Sequence, residues 1–130
     1  MTTPSSRCLP ALLIACLSGI GCSSGQRPIE AGGVSHIVLF TLARQQDADE
    51  LERDCARLLR PIESVRVYAC GNHVDTGRSI VRDDYDVGLY VSFEDEAGYQ
   101  AYLDDPDHLA LVSKWKDRWT DIVLYDFGDE

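Results

Sequence analysis

Basic residues are scarce in this chain of 130 residues. Twelve lysines and arginines stand against 22 aspartates and glutamates, which gives a formal net charge of −10 at pH 7. A surface of this charge repels the phosphate backbone of nucleic acids and the headgroups of anionic lipids. We therefore expect no nucleic-acid partner, and any contact with a membrane requires an anchor of its own.

The sequence also lacks the run of about 20 apolar residues that a transmembrane helix needs. A shorter apolar segment, Leu9–Ile20, follows a single positive charge at Arg7 and precedes the small residues at 21–25. A positive start, a short apolar centre and small residues are typical of a secretory signal. We predict that residues 1–22 are a signal peptide and that residues 23–33 are a linker.

The stretch at 21–25, Gly-Cys-Ser-Ser-Gly, resembles the end of a bacterial lipoprotein signal. This resemblance implies that Cys22 carries a lipid and becomes the new N-terminus. The protein is then exported and lipid-anchored at the cell membrane or outer membrane. Gly19 stands where such signals usually have Leu, Val or Ile; the stretch ending at Cys16 fits that pattern better but shortens the apolar segment. Cys16 is therefore the alternative attachment site, and an uncleaved anchor or a signal without lipid is a further alternative.

Closely spaced cysteine and histidine motifs are a third absence. The sequence has no Cys-x-x-Cys pattern, no His/Cys cluster and no haem motif, so we expect no metal site and no other cofactor. Beyond the signal region, the cysteines are Cys55 and Cys70. Export would permit a disulfide between them, whereas the simpler interpretation is that Cys55 is a small core residue on a helix face.

What the sequence does contain is a regular series of short apolar segments. Their periodicity predicts strands at 34–42, 64–72, 85–93 and 121–127, and helices at 45–60, from 94 to 103, and at 107–119. The order is β-α-β-β-α-β, and Pro106 breaks the second helical element. This order predicts a ferredoxin-like α+β fold.

The first predicted helix has an apolar side and a charged side. Asp47 is its predicted N-cap, and Glu50 is the predicted partner in a capping box. The charged positions that alternate with the apolar ones, among them Asp54, are interpreted as a solvated face. Pro61 ends the helix.

The first strand is apolar on both faces. Alternation places one set of residues on one face and a second set on the other: His36, Val38, Phe40 and Leu42 against Ile37, Leu39 and Thr41. Helices cover one face of a ferredoxin-like sheet, so the other face must pack against something else. A second copy of the same sheet is the simplest partner, and we therefore predict a homodimer that forms a dimeric α/β barrel.

The second helical element brings candidate site residues together. Tyr99, Tyr102 and Leu103 recur at helical spacing and predict one buried face. The turn at Pro106 gives His108 a new direction. We predict a hydrogen bond between Tyr102 and His108, beside a cleft between the helices and the sheet.

Four stretches resemble the stress-responsive dimeric A/B barrel family, known as Dabb. They are Ser-His-Ile-Val-Leu-Phe at 35–40, Tyr-Asp-Val-Gly-Leu-Tyr-Val-Ser-Phe at 85–93, Ala-Tyr-Leu-Asp-Asp-Pro-Asp-His at 101–108 and Ile-Val-Leu-Tyr-Asp-Phe at 122–127. The resemblance implies a homodimeric barrel over residues 34–128. Most members have no assigned activity. A plant polyketide cyclase in the family has a histidine on the first strand, a tyrosine on the second helix and a histidine after the proline, which match His36, Tyr102 and His108.

Two functional classes follow. The first is a tethered module that binds a small apolar molecule in the cleft. The second is a cofactor-free lyase, cyclase or isomerase, in which a Tyr–His pair acts as general acid and base and contributes about 10²–10⁴-fold. His36, Tyr102 and His108 are the candidate residues for both, because the same side chains would line a ligand pocket. A haem-degrading or antibiotic-type monooxygenase barrel is a weaker third interpretation. Thr41, where relatives often have Lys, and Asp105, where many have His, depart from the family pattern.

Overall fold

A computed structural model describes residues 30–128 of the chain. The elements follow one another as β1 (Val34–Leu42), a 3-10 turn (Gln45–Asp47), α1 (Ala48–Leu58), β2 (Val67–Gly71), β3 (Val87–Phe93), α2 (Glu96–Leu103), α3 (Pro106–Trp115) and β4 (Trp119–Gly128). The strands form one antiparallel sheet in the order β2-β3-β1-β4. This is the ferredoxin-like α+β fold, and the prediction of it is confirmed. The predicted signal and both candidate lipid-attachment cysteines lie outside the described residues.

The break between α2 and α3 lies where the proline predicts it. Asp95 caps α2 by accepting a hydrogen bond from the Gly98 backbone N–H at 2.8 Å. Asp105 caps α3 by accepting one from the Asp107 N–H at 2.9 Å, with Pro106 in the first turn. Proline suits this position because the first helical N–H groups have no partner within the helix. The elements differ from the predicted ranges mainly at their ends: β2 is shorter and β4 begins at Trp119.

The core lies between the helices and one face of the sheet. The largest fully buried side chains come from all three helical regions and from β3: Trp115, Tyr102, Phe93, Leu51 and Leu59. Each large apolar side chain buried in this way contributes about 1.5–3 kcal/mol relative to an exposed one. The helix-facing residues of β1 are buried, as the alternation predicts.

The charged side of α1 is where the sequence prediction was wrong. Asp54 is buried and accepts hydrogen bonds from Trp115 Nε1 at 2.9 Å and Lys114 Nζ at 2.6 Å. Asp47 makes no capping hydrogen bond; its carboxylate binds Arg44 and Arg118. Both carboxylates therefore hold distant segments together instead of facing solvent or capping the helix.

The far face of the sheet is apolar and open. Val123, Tyr125 and Phe127 on β4 are 36%, 57% and 58% exposed. Their register partners on β1 include Ile37 and Leu39. Within residues 30–128, no helix has the length and apolar character needed to cross a membrane.

Candidate functional site

A cavity of about 230 Å³ lies between the sheet and helices α2 and α3. Most of its wall is apolar, with side chains such as Val38, Phe40 and Leu111. Four polar rings interrupt this wall: His36, Tyr99, Tyr102 and His108. The three candidate residues predicted from the sequence are therefore brought to one cavity. Apolar walls with a few convergent polar groups are characteristic of small-molecule sites.

His36 enters the cavity from β1 and is tied to the neighbouring strand. Its Nδ1 lies 2.5 Å from Oδ1 of Asp126, which is its direct register partner on β4. The Tyr99 hydroxyl donates to the other oxygen of Asp126 at 3.0 Å and lies 3.3 Å from His36 Nδ1. A carboxylate at Nδ1 holds the proton there and leaves Nε2 as the acceptor nitrogen.

His108 enters from the first turn of α3, but its hydrogen bond is not the predicted one. Nδ1 lies 3.1 Å from the carbonyl oxygen of Leu103, to which it donates. Tyr102 instead contacts His108 ring to ring, with centroids 4.5 Å apart and planes tilted by 44°. The carbonyl was free to accept because it belongs to the last turn of α2, where carbonyls have no helical partner. The two rings are adjacent as predicted, whereas the predicted hydrogen bond between them is wrong.

Burial shifts the pKa values of three cavity rings, Tyr99, Tyr102 and His108. It lowers the pKa of His108, and the nearby His36 lowers it further, while the bond to Leu103 opposes the shift. Burial also raises the pKa of Tyr99 to about 12, helped by the hydrogen bond to Asp126. Tyr102 is 1% exposed, and burial raises its pKa as well. At neutral pH the cavity therefore presents a neutral His108 and two protonated tyrosines.

Asp126 and Tyr99 are the site residues that the sequence reasoning missed. Tyr99 was assigned to a buried face without a chemical role, and Asp126 was one residue of an apolar strand. A signal for Asp126 did exist, because it shares the helix-facing phase of β4 with Ile122 and Leu124. A carboxylate on the same face as apolar cavity residues is stabilised by a hydrogen-bonding partner. Only the strand register shows that the partner is His36.

A larger, open groove of about 950 Å³ adjoins the cavity and shares Tyr99 and Leu103 with it. Its rim carries the carboxylates of Glu94, Asp95, Glu96 and Asp126. This charge disfavours anions at the approach to the cavity. Within the described part of the chain, no three His, Cys, Asp or Glu side chains are grouped as a metal site would require.

Three solved structures illustrate the similarity of the fold. A dimeric ferredoxin-like protein of unknown function from Thermobifida fusca YX aligns with a TM-score of 0.63 and 23% identity, over 78% of this chain and 94% of that one. A Dabb family protein with a ferredoxin-like fold from Mesorhizobium loti MAFF303099 aligns with a TM-score of 0.63 and 25% identity, over 76% of this chain and 98% of that one. A hydroxynitrile lyase from Passiflora edulis aligns with a TM-score of 0.64 and 15% identity, over 78% of this chain and 96% of that one.

No curated protein matches the chain. The family model described as the stress responsive A/B barrel domain, Dabb, matches residues 34–129. The match covers both strands that carry His36 and Asp126 and the helices that carry the tyrosines and His108. The chain belongs to the Dabb family.

Proposed function

We propose that this chain is an exported, lipid-anchored homodimer that binds a small apolar molecule in the cavity between the sheet and helices α2 and α3. The observation that carries the proposal is the cavity itself, with its apolar wall and four converging polar rings. An apolar wall favours an apolar ligand, and the rings select one that carries a polar group.

The protonation of the rings defines that polar group. Tyr102 is buried and its hydroxyl is protonated at neutral pH, so it is a donor to an oxygen acceptor such as a carbonyl. The acidic rim formed by Glu94, Asp95 and Glu96 repels carboxylates. A neutral, apolar carbonyl or phenolic compound satisfies both conditions.

Binding is tested by titrating the protein with neutral apolar carbonyl and aromatic compounds, and with matched carboxylates. We expect saturable binding of the neutral members and at least tenfold weaker binding of the acids. Val112→Trp, which places an indole at the cavity wall, should abolish binding. Leu109→Trp on the same helix is the control, because Leu109 is 54% exposed and does not line the cavity. Equal binding by both variants would refute the cavity as the site.

The homodimer is supported by the open apolar face of β4 and by the dimeric description of the protein from Thermobifida fusca YX. Exposed apolar patches of this kind mark interaction surfaces. Sedimentation of the mature chain should give a dimer, and Tyr125→Lys should shift it towards monomer. Val74→Lys is the control, since Val74 is an exposed apolar residue of a loop, 71% accessible. If the parent protein sediments as a monomer, the proposal of a dimer is refuted.

The lipid anchor rests on the sequence of the segment before the domain. Cys22 is the proposed attachment site and Cys16 the alternative. Expression of Cys22→Ser and Cys16→Ser, followed by cell fractionation and labelling with a fatty acid, separates the two. Loss of label and of membrane association in Cys22→Ser alone is the expected result. Label that persists in both variants would show that neither cysteine is the attachment site.

A second candidate function is cofactor-free acid–base catalysis, as in a lyase, cyclase or isomerase. The hydrogen bond between His36 and Asp126 favours it, because this bond leaves Nε2 of a buried imidazole as a base. The ring of Tyr102, a hydroxyl donor, lies 6.2 Å from the His36 ring, centroid to centroid. His36 would accept the proton, Tyr102 would donate to the carbonyl oxygen, and Asp126 would stabilise the imidazolium. If the protein converts a bound compound, and His36→Gln loses this turnover but retains binding, catalysis is established. Binding without turnover in the parent protein would support the binding module and contradict catalysis.

A further inference from the structure

The two imidazole rings of the cavity are held in the same way, each through one nitrogen. Nδ1 of His36 donates to the carboxylate of Asp126, and Nδ1 of His108 donates to the Leu103 carbonyl. A neutral imidazole has a single N–H, so Nε2 of each ring keeps a lone pair that can accept a hydrogen bond. Within residues 30–128, neither Nε2 is hydrogen-bonded to another residue.

Both rings pack around the ring of Tyr102. Its centroid lies 6.2 Å from that of His36 and 4.5 Å from that of His108, and all three side chains line the cavity of about 230 Å³. His36 is only 3% exposed and Tyr102 only 1%. Because these side chains are almost completely buried, a partner reaches their polar atoms mainly through the cavity. One small molecule there can therefore meet both imidazoles.

A ligand that enters the cavity must satisfy the two acceptor nitrogens. Buried acceptors without a donor are unfavourable, and a ligand that displaces water without replacing its hydrogen bonds loses affinity. A ketone or an ether has acceptors only, so it would leave both Nε2 atoms unpaired. A hydroxyl group supplies an O–H donor, and its oxygen can still accept a hydrogen bond from the Tyr102 hydroxyl.

We propose that the ligand of this cavity is a neutral, apolar compound with two hydroxyl groups, one that donates to Nε2 of His36 and one that donates to Nε2 of His108. The inference rests on the proposed function, because it concerns the ligand of the same cavity. Among the neutral carbonyl and phenolic compounds allowed there, it selects those with two O–H donors. His36 and His108 thereby determine specificity, whether or not the bound compound is converted.

The three benzenediols and the three matching dimethoxybenzenes test this ligand class. The isomers place two hydroxyls at three different separations on one aromatic ring, and each dimethyl ether keeps the oxygens but has no donor. Calorimetric titration of the full chain at neutral pH is the measurement. At least one benzenediol should bind about tenfold more tightly than its dimethyl ether, as expected for two additional hydrogen bonds. Equal affinities within all three pairs would overturn the inference.

Two variants assign the effect to the histidines. His36→Phe and His108→Phe keep an aromatic ring and remove the acceptor nitrogen. Each should weaken binding of the favoured benzenediol by about threefold or more and leave binding of its dimethyl ether nearly unchanged. His73→Phe is the control, because His73 contacts Tyr85 and does not line this cavity. A benzenediol affinity that neither cavity variant changes would contradict the proposal.

NMR spectra of the parent chain with nitrogen-labelled histidine give a readout that needs no mutation. The signal of an unprotonated imidazole nitrogen moves upfield when that nitrogen accepts a hydrogen bond. The favoured benzenediol should therefore shift the Nε2 signals of His36 and His108, whereas the dimethyl ether should not. The signals of His73 should stay in place in both titrations. Nε2 signals that do not move in the presence of bound benzenediol would also overturn the inference.

The outcomes separate this inference from the proposed function. Suppose that benzenediols and dimethoxybenzenes bind equally well and that Val112→Trp excludes both. The cavity is then the ligand site, and only the class with two hydroxyls is rejected. If no compound of either set binds the parent chain, the inference and the proposed ligand site are both refuted.

Discussion

Asp54 and Asp126 are both carboxylates that receive a hydrogen bond from a ring N–H, but they differ in what balances their charge. Asp54 binds Trp115 together with two cations, Lys114 and Arg57. Asp126 binds His36 and Tyr99, and neither partner carries a permanent charge. The Asp54 side chain is 10% exposed and that of Asp126 is 47% exposed. The two cations that bind Asp54 make it a structural group, whereas Asp126 has no lysine or arginine among its hydrogen-bond partners.

Of the variants that test this difference, Asp54→Ala should cause the largest loss of stability. Removing the carboxylate leaves Trp115 Nε1 without its acceptor between α1 and α3, while Lys114 keeps only its ion pair with Glu50. Breaking a buried pair of this kind costs about 3–5 kcal/mol, and we expect about 3 kcal/mol because Lys114 remains partly hydrated. Urea unfolding measures the loss. Arg53→Ala, at an exposed position of the same helix, is the control and should change stability by less than about 0.5 kcal/mol.

Acid should remove the same contribution without any mutation. Burial alone would raise the pKa of Asp54, but hydrogen bonds from Lys114, Trp115 and Arg57 outweigh it and hold the pKa at about 2. The unfolded value is 3.8. The folded pKa is the lower one, so this stabilisation is complete above pH 4 and is lost as the pH falls towards 2. Unfolding measured across this range should show a steep loss in the parent and a shallower one in Asp54→Asn.

Asp126→Asn should change stability much less, by about 1 kcal/mol, because the site is half exposed and the amide still accepts a hydrogen bond. Its main effect should be on protonation. The carboxylate is the second cause that raises the pKa of Tyr99 to about 12, after burial. The pKa of Tyr99 should therefore fall while remaining above its ordinary value of 10.0. NMR titration of ring-labelled tyrosine reports the shift, and an unchanged value would show that Asp126 does not bind Tyr99 in solution.

The smallest effect is expected from His108. Its pKa is lower in the folded chain than its ordinary value of 6.5, chiefly because of burial. The folded state therefore binds this proton less readily, so stability should decline slightly as the pH falls below about 6.5. His108→Gln should remove this shallow decline and leave the steeper one at Asp54 intact. The measurement is the urea midpoint at pH 7.5 and 5.5, and a parent midpoint that rises on acidification would contradict the assignment.

Local periodicity was sufficient for the fold but not for the carboxylates. The alternation in β1, the break at Pro106 and the spacing of Tyr99 and Tyr102 are all properties of neighbouring residues, and the structure follows them. Asp54 and Trp115 are 61 positions apart and His36 and Asp126 are 90 apart. Helix packing and strand register bring such pairs together, and neither can be inferred from the pattern of a single sequence. The hydrogen bond from His108 to the Leu103 carbonyl could not be predicted for another reason. Every residue has a backbone carbonyl, so the residue type gives no signal that this one accepts a hydrogen bond.

Adjacent side chains of β4 point to opposite faces of the sheet. Asp126 points to His36 on the helix side, while Tyr125 and Phe127 lie on the open face proposed for the partner. A displacement of this edge strand by the partner subunit would therefore also move the carboxylate that orients the histidine. By thermodynamic linkage, ligand affinity would then depend on protein concentration, and a ligand that requires the assembled geometry would strengthen the dimer by the same factor. A tether that confines the chain to a membrane surface would raise its local concentration and so favour the binding-competent state.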